Sequence, residues 1–410
     1  MSFSQALSGL RVSAESLNVV SNNIANARTV GFKSTGIRFA DVYSDSRVGL
    51  GVRVGGLVQN FNAGNQETTN RNLDLAINGN GFFRLTQNDQ TVFSRNGQFS
   101  LTKDGFIENA QGARLTGYNR GTAQGTAPEA IRIPADGISA QRTNNVDASF
   151  NLDSRAEAIA ATGAGNQTFS PDDPNSYSYV SNVSVYDSLG TRHDVRMFFF
   201  KHDDNEWSVG FLTDQDQPLD PNAIPVQYDV ATQPVEFAAD GTIVVPDNGV
   251  GIAYNFDPQN GADPVNFALN LTGTTQFANN FEVAALAQDG YTSGSLLRLS
   301  VNEQGQIVGT YNNDQQQVLG TLALATFRNN EGLRAIGNNV WVETGNSGAP
   351  IVGVPGEAQF GQIASGVVEA SNVDLNQELV DLIIAQRNYQ ANAQSIRTQD
   401  EVLQTTVNLR

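Results

Sequence analysis

The sequence predicts a mainly β protein with helical termini, in which antiparallel β domains are nested between N- and C-terminal heptad helices that pair. Three observations carry this reading. Apolar residues recur at alternating spacings of three and four at both ends of the chain and not between them. The interior breaks into short alternating runs separated by turn residues. The composition, with 39 Gly in 410 residues, 39% apolar and 16% charged, suits β-rich domains with many turns and still supplies real cores.

At the N-terminus Phe3, Leu7, Leu10, Ala14, Leu17, Ser21 and Ile24 keep the heptad spacing, and only Ser21 is polar. Asn22, Asn23 and Asn26, followed by Gly31, mark the end of that helix. At the C-terminus the spacing runs through Leu375, Leu379, Leu382, Gln386, Tyr389, Ala393, Ile396, Asp400, Leu403 and Val407. That pattern covers 33 residues, about 50 Å of helix. Ser371 and Asp374 read as an imperfect capping box at its start. Gln386 and Asp400 read as points where the seam faces water.

Between the ends, Gly81 to Tyr118 holds short alternating runs, with Asn96-Gly97 and Lys103-Asp104-Gly105 as hairpin signals. A second series runs through Ser178–Tyr186, Thr191–Lys201 and Glu206–Leu212. A third runs through Leu296–Val301, Gln306–Tyr311 and Val318–Phe327. These read as antiparallel meanders. Pro171–Pro174 and Gln217–Pro225 read as loops. Terminal helices so far apart in sequence pair only if the chain returns on itself. The expected layout is a terminal helical core (1–30 plus 366–410), connecting segments (31–70 plus 358–365), an inner β domain (71–144 plus 285–357) and an outer acidic β insert (145–284).

Two helices at the end of a β chain bury little. Each buried Leu contributes about 1.5–3 kcal/mol, against an ordering cost of roughly 1–2 kcal/mol per backbone residue. The pair becomes favourable when identical neighbours cover its exposed seam, so the termini are expected to be loosely held in the free chain and ordered on assembly.

The net charge of −18 is concentrated: residues 145–290 hold 21 acidic and 4 basic side chains. Nucleic-acid binding is disfavoured, because phosphate contacts need clustered Lys and Arg. The absence of cysteine excludes disulfides, thiolate metal sites and a cysteine nucleophile. No apolar stretch is long enough for a membrane-spanning helix, and Met1 to Leu10 has no basic residue and does not read as a cleaved secretory signal.

The sequence offers no catalytic constellation, cofactor motif or metal site. His193 and His202 read as incidental, and Gly79-Asn80-Gly81 lacks the third glycine and the helix of a dinucleotide loop. Asp214, Asp216 and Asp220 lack the glycine and terminal Glu of a calcium loop. A glycosidase would need a distinguished carboxylate pair, and none stands out. A secreted β-rich adhesin is the alternative from another class, but it leaves the two heptads unexplained.

Five blocks in order resemble the flagellar axial family of rod and hook proteins. They are Ser21–Asn26 with Thr29-Val30-Gly31-Phe32-Lys33; Leu73–Phe83; Ser94–Phe99 continuing to Gly117-Tyr118; Val373–Val380; and Ala385–Asn392. The large central insert, with Ala323–Phe327, Gly332-Leu333 and Gly337-Asn338, resembles the hook branch more than the shorter distal rod, which stays as the alternative. The resemblance implies a helical homopolymer, with terminal helices lining a tube around an export channel and β domains outside. It also implies a universal joint between rod and filament. The implied partners are the distal rod protein, the hook cap protein, the first hook–filament junction protein and the flagellar export apparatus. The implied location is extracellular, in the hook and basal body, reached without signal cleavage. The expected polymerisation interface comprises Phe3, Leu7, Leu10, Ala14, Leu17, Ile24, Leu375, Leu379, Leu382, Tyr389, Ala393, Ile396, Leu403 and Val407. Asn22, Asn23, Asn26, Thr29, Gly31 and Phe32 are expected to shape the turn out of the first helix.

Overall fold

The computed structural model describes residues 3–42, 51–123, 125–134, 136–159, 169–216, 218 and 231–408, apart from the side chains of 248 and 406–408. The chain forms two compact units. One comprises Met1–Ala135, Leu297–Thr310 and Gln316–Arg410; the other comprises Asp136–Leu296 and Tyr311–Gln315.

The first unit holds both helices, α1 (Phe3–Ala25) and α2 (Leu375–Asn408). Gly9 lies against Asn392, and Asn23 against Glu378, so the helices pair antiparallel. A hairpin follows α1, with Thr35–Val42 antiparallel to Gly51–Gln59. The chain then leaves and returns side by side. Gln66–Thr68 pairs with Val367–Glu369, and Leu75–Asn78 with Gln362–Ser365, both antiparallel. These pairs close a very long loop and bring α2 back to α1. Between them lies a large branched sheet around an aromatic core of Phe82, Phe93, Phe327 and Trp341, with Phe61 packed on it. The rings meet edge-to-face, as Phe93 and Phe327 do at 4.8 Å and 87°, the arrangement that ring quadrupoles favour.

The Lys103-Asp104-Gly105 signal is a true hairpin: Phe99–Leu101 pairs with Ile107–Asn109, and Gly105 has φ +83°. Asn96-Gly97 is not. Its flanking strands, Gln90–Ser94 and Phe99–Leu101, pair with other strands. Gly97 instead lets the backbone press against Leu75, whose N–H donates to the Gly97 carbonyl at 2.9 Å. A side chain there would collide with the Leu75 carbonyl.

In the second unit two five-stranded sheets share one core. Strand Asn145–Asp153 buries alternate residues Val146, Ala148, Phe150 and Leu152, the period-two pattern of a strand with one covered face. Tyr179–Tyr186, Arg192–Asp203 and Glu206–Leu212 form the expected antiparallel meander. Among the described residues of this unit, Asn145–Asp153 departs from antiparallel order and runs parallel to Val265–Asn270 and to Thr275–Phe277. These partners arrive from far along the chain, so no local turn sets their direction.

The turn Asp187–Gly190 is held by a fully buried carboxylate. Asp187 Oδ1 accepts the N–H groups of Leu189 and Thr191 at 2.9 and 2.8 Å. Asp187 Oδ2 accepts from Asn260 Nδ2 at 2.6 Å and lies 3.1 Å from His193 Nε2. His193 thus belongs to the turn, and His202 Nε2 sits 2.7 Å from Ser208 Oγ at the other end of the strand. Burial alone would push the Asp187 pKa up; the donors of Asn260, His193, Thr191 and Leu189 outweigh it and hold the group at about 2. A carboxylate whose pKa is depressed on folding stabilises the fold above its unfolded value of 3.8 and loses that contribution as pH falls towards 2. The share lost from this group is about 2 kcal/mol. Urea titrations at pH 5 and pH 2 should therefore show Asp187→Asn with a smaller acid-induced drop in midpoint than the parent. Equal drops would mean that this carboxylate is not responsible. Asp153, held down to about 2 by Arg155, keeps its own share in both proteins.

Asp216 Oδ2 accepts from Thr213 Oγ1 at 2.8 Å and closes a turn. Asp220, and all of Gln217–Pro225 except residue 218, lie outside the described residues.

Candidate polymerisation interface

α1 buries Ala6, Val12, Ser13, Val19, Val20 and Asn23. These are not the heptad positions read from the sequence. Leu7, Leu10, Ala14, Leu17 and Ile24 are half-buried, and Phe3 is exposed. Several buried positions stand one residue before a heptad position, a rotation of about 100°. The cause is the close approach of α2. A Cβ on Gly9 would lie 2.7 Å from Asn392 Oδ1, so the intrachain contact runs along the small residues Ala6, Gly9 and Ser13. The larger Leu stripe is left partly open beside it.

α2 is barely buried. Among its described side chains only Ala385 counts as core. Leu382, Ala393 and Ile396 are half-buried, while Leu375, Leu379, Tyr389 and Leu403 are exposed; the Val407 side chain lies outside the described residues. Leu379, Val380, Ile383 and Ile384 are each 48–51% exposed. They form one patch near the start of the helix; further along, the outward positions Arg387, Gln390, Gln394, Arg397 and Glu401 are polar, and Tyr389, Val402 and Leu403 are the large exposed apolar exceptions. Half-exposure of four such side chains leaves about 3–6 kcal/mol of burial unrealised in the lone chain.

The capping box reading needs correction. Asp374 alone caps α2, its Oδ1 accepting the N–H groups of Asn376 and Gln377 at 2.9 and 3.3 Å. Ser371 lies too far before the helix and accepts from the Val373 N–H instead.

The turn out of α1 is a chain of side-chain bonds. Exposed Asn22 accepts from half-buried Asn26 Nδ2 at 2.8 Å, and Asn26 Oδ1 accepts from the Thr29 hydroxyl at 3.2 Å. The N–H of half-buried Phe32 donates to the Thr29 carbonyl at 3.2 Å. Asn23 points the other way and is 2% exposed. Its Oδ1 accepts the Thr35 N–H at 3.0 Å, and its Nδ2 donates to the Thr35 carbonyl and to Glu378 Oε1, both at 2.9 Å. One amide therefore fastens the end of α1, the start of the hairpin and the first turn of α2. Burial raises the Glu378 pKa, and the Asn23 bond opposes the rise. Gly31, at φ +70°, rests on the Asn96 backbone, and its N–H donates to the Glu369 carbonyl at 2.7 Å.

Beneath that turn lies a charge cluster that spacing did not single out. Glu369 is 2% exposed, Lys33 0% and Arg95 5%. Glu369 Oε1 accepts from Lys33 Nζ at 2.6 Å and from the Gly64 N–H at 2.9 Å; its Oε2 accepts from Arg95 Nη1 at 3.2 Å. Lys33 also donates to the Asn62 carbonyl, and Arg95 to the Gly79 carbonyl. Burial lowers the pKa of both cations, and Glu369 partly offsets it. The cluster joins the segment after α1, the Asn96 loop and the strand before α2.

Four family profiles match along the chain. They are "Flagella basal body rod protein" at 5–33, "Flagellar hook protein FlgE/F/G D1 domain" at 76–163, "Flagellar basal body protein FlaE D2 domain" at 151–291 and "Flagellar basal body rod FlgEFG protein C-terminal" at 364–409. The flagellar hook protein FlgE of Escherichia coli (strain K12) is 44% identical over 419 residues, spanning 100% of both chains. The chain belongs to the flagellar hook protein family. Hook proteins of Salmonella typhimurium and Borreliella burgdorferi are 44% and 32% identical, the latter over 98% of both chains. The crystal structure of Helicobacter pylori hook protein FlgE2 shares the fold, with a TM-score of 0.55 at 14% identity over 74% of this chain and 100% of that one. Neither the distal rod nor the adhesin alternative is favoured by full-length relatives named as hook proteins. In this hook-family chain the two terminal profiles contain Lys33 and Glu369, and the D1 profile contains Arg95. The buried cluster therefore ties three matched segments together.

Proposed function

We propose that the chain is the repeating subunit of the flagellar hook and polymerises into a flexible helical tube. The observation that carries this is the apolar patch at the start of α2, which the lone chain leaves half-exposed and a neighbouring copy can cover. In this reading the segments 1–30 and 366–410 form the tube's inner layer around an export passage. The acidic insert 145–284 faces solvent. Strong inner contacts with a polar exterior suit a tube that bends as it turns, a universal joint between rod and filament. The work is structural and not catalytic. The chain leaves the cell through the flagellar export apparatus without signal cleavage, and it meets the distal rod, hook cap and first junction proteins at the ends of the tube.

Deleting the gene in its own bacterium should give basal bodies with a complete rod and neither hook nor filament. Re-expressing Ile383→Asp should fail to restore the hook, while the purified variant melts like the parent, because the side chain is already half exposed in the monomer. Hooks restored by Ile383→Asp would exclude the patch as a subunit contact. Intact hooks after deletion would exclude the function itself.

A further inference from the structure

Strand Glu282–Gln288 stands apart in the acidic unit. Every residue from Glu282 to Ala287 is exposed, on both faces of the strand. Val283 and Leu286 are 41% and 37% exposed. One edge of the strand pairs with Asn145–Asp153; among the described residues no strand pairs with the other. Residues 283–288 carry no charge, Pro or Gly, and a bulge at Ala284 is the one irregularity. Natural edge strands are usually guarded by Lys, Pro, an inward-facing charge or a bulge, because a free apolar edge is a template for another strand; within 283–288 the bulge at Ala284 is the one such device. Such an edge is the more notable in a region with 21 acidic and 4 basic side chains, whose net charge works against contact between two copies.

The same sheet ends on its far side in Ile252–Phe256, which pairs only with Val265–Asn270 among the described residues and is also uncharged. Copies related by a screw axis meet through two different surfaces, and this unit carries two different edges on one sheet, uncharged apart from Glu282. We propose that Glu282–Gln288 of one copy adds to the Ile252–Phe256 edge of a neighbouring copy, so that the sheet continues from subunit to subunit. The inference rests on the polymerisation proposed above. Backbone pairing of this kind is tolerant of side chains and can be broken and remade as the tube bends.

The chain has no cysteine, which makes a clean test possible. Ala253 and Ala285 are exposed on strands three spacings apart, about 14 Å, too far for an intrachain disulfide, which needs Cα atoms within about 7 Å. Polymers of the Ala253→Cys/Ala285→Cys protein should give, on mild oxidation, a ladder of dimers, trimers and longer chains. Either single variant should give none, and adding Leu286→Lys should abolish the ladder without changing the melting of the free chain. Ala287→Lys serves in its place if Leu286→Lys fails to fold. Polymers that form normally and stay uncrosslinked would overturn the sheet-extension proposal and leave polymerisation standing. A dimer from Ala285→Cys alone would overturn the head-to-tail pairing. A parent protein that never polymerises would overturn both.

Discussion

Glu369→Gln should lower the stability of the first unit by about 3–5 kcal/mol, the usual consequence of removing one partner from a buried ion pair. Lys33 and Arg95 would stay buried with no anion, and the new amide would turn a donor towards one of them. The loss would not be confined to one contact. Glu369 sits on the strand that pairs with Gln66–Thr68, and its carboxylate also holds the Gly64 N–H. Both termini should therefore loosen together. Lys33→Met should cost less, because it leaves Arg95 and Glu369 as a matched pair. Urea unfolding, with limited proteolysis of α1 and α2 as a second readout, measures both. A Glu369→Gln midpoint within error of the parent would show that the cluster does not hold the termini.

Gly31→Ala should cost about 3 kcal/mol or more. The left-handed conformation at φ +70° costs an L-residue about 1–2 kcal/mol. The larger part is steric: a Cβ would stand 2.5 Å from the Asn96 backbone nitrogen, and a backbone cannot swing aside as a flexible side chain can. Two comparisons separate these causes. Gly112 has a similar φ of +74° with nothing within 4 Å, so Gly112→Ala should show the conformational part alone. Gly31→Asn relieves the conformational part, since Asn tolerates this region, yet it should remain nearly as harmful as Gly31→Ala. Thermal melts of the three variants decide it; a mild Gly31→Asn would mean that the turn can move away from the Asn96 loop.

The helices were legible because each repeats its pattern many times over. Heptad spacing from Phe3 to Ile24 and from Leu375 to Val407 reports the element type whatever the partner. It does not report which of two adjacent stripes faces inward. That was settled by Gly9 and Asn392, residues from opposite ends of the chain, whose close approach turned the small stripe of α1 inward. The meanders were legible for a similar reason, since Asp187–Gly190 and Lys103–Gly105 sit between strands that pair with each other. Asn96-Gly97 carries the same local signal and misled, because its glycine serves a contact with Leu75 from outside the turn.

Taken alone, the sequence determined the class of each element, the return of the chain that lets its ends pair, the concentration of charge in the insert and the family blocks. All of these are local in the chain, or repeated along it. Only the tertiary structure decided that Lys33, Arg95 and Glu369 share one buried site, that Asn23 fastens three segments, that Asn145–Asp153 takes parallel neighbours and that Glu282–Gln288 keeps a free edge. Each depends on a partner far along the chain. A buried charge looks like a surface charge in the sequence until the fold brings its counter-ion to it, and an unpaired edge looks like any other strand until its neighbours are known.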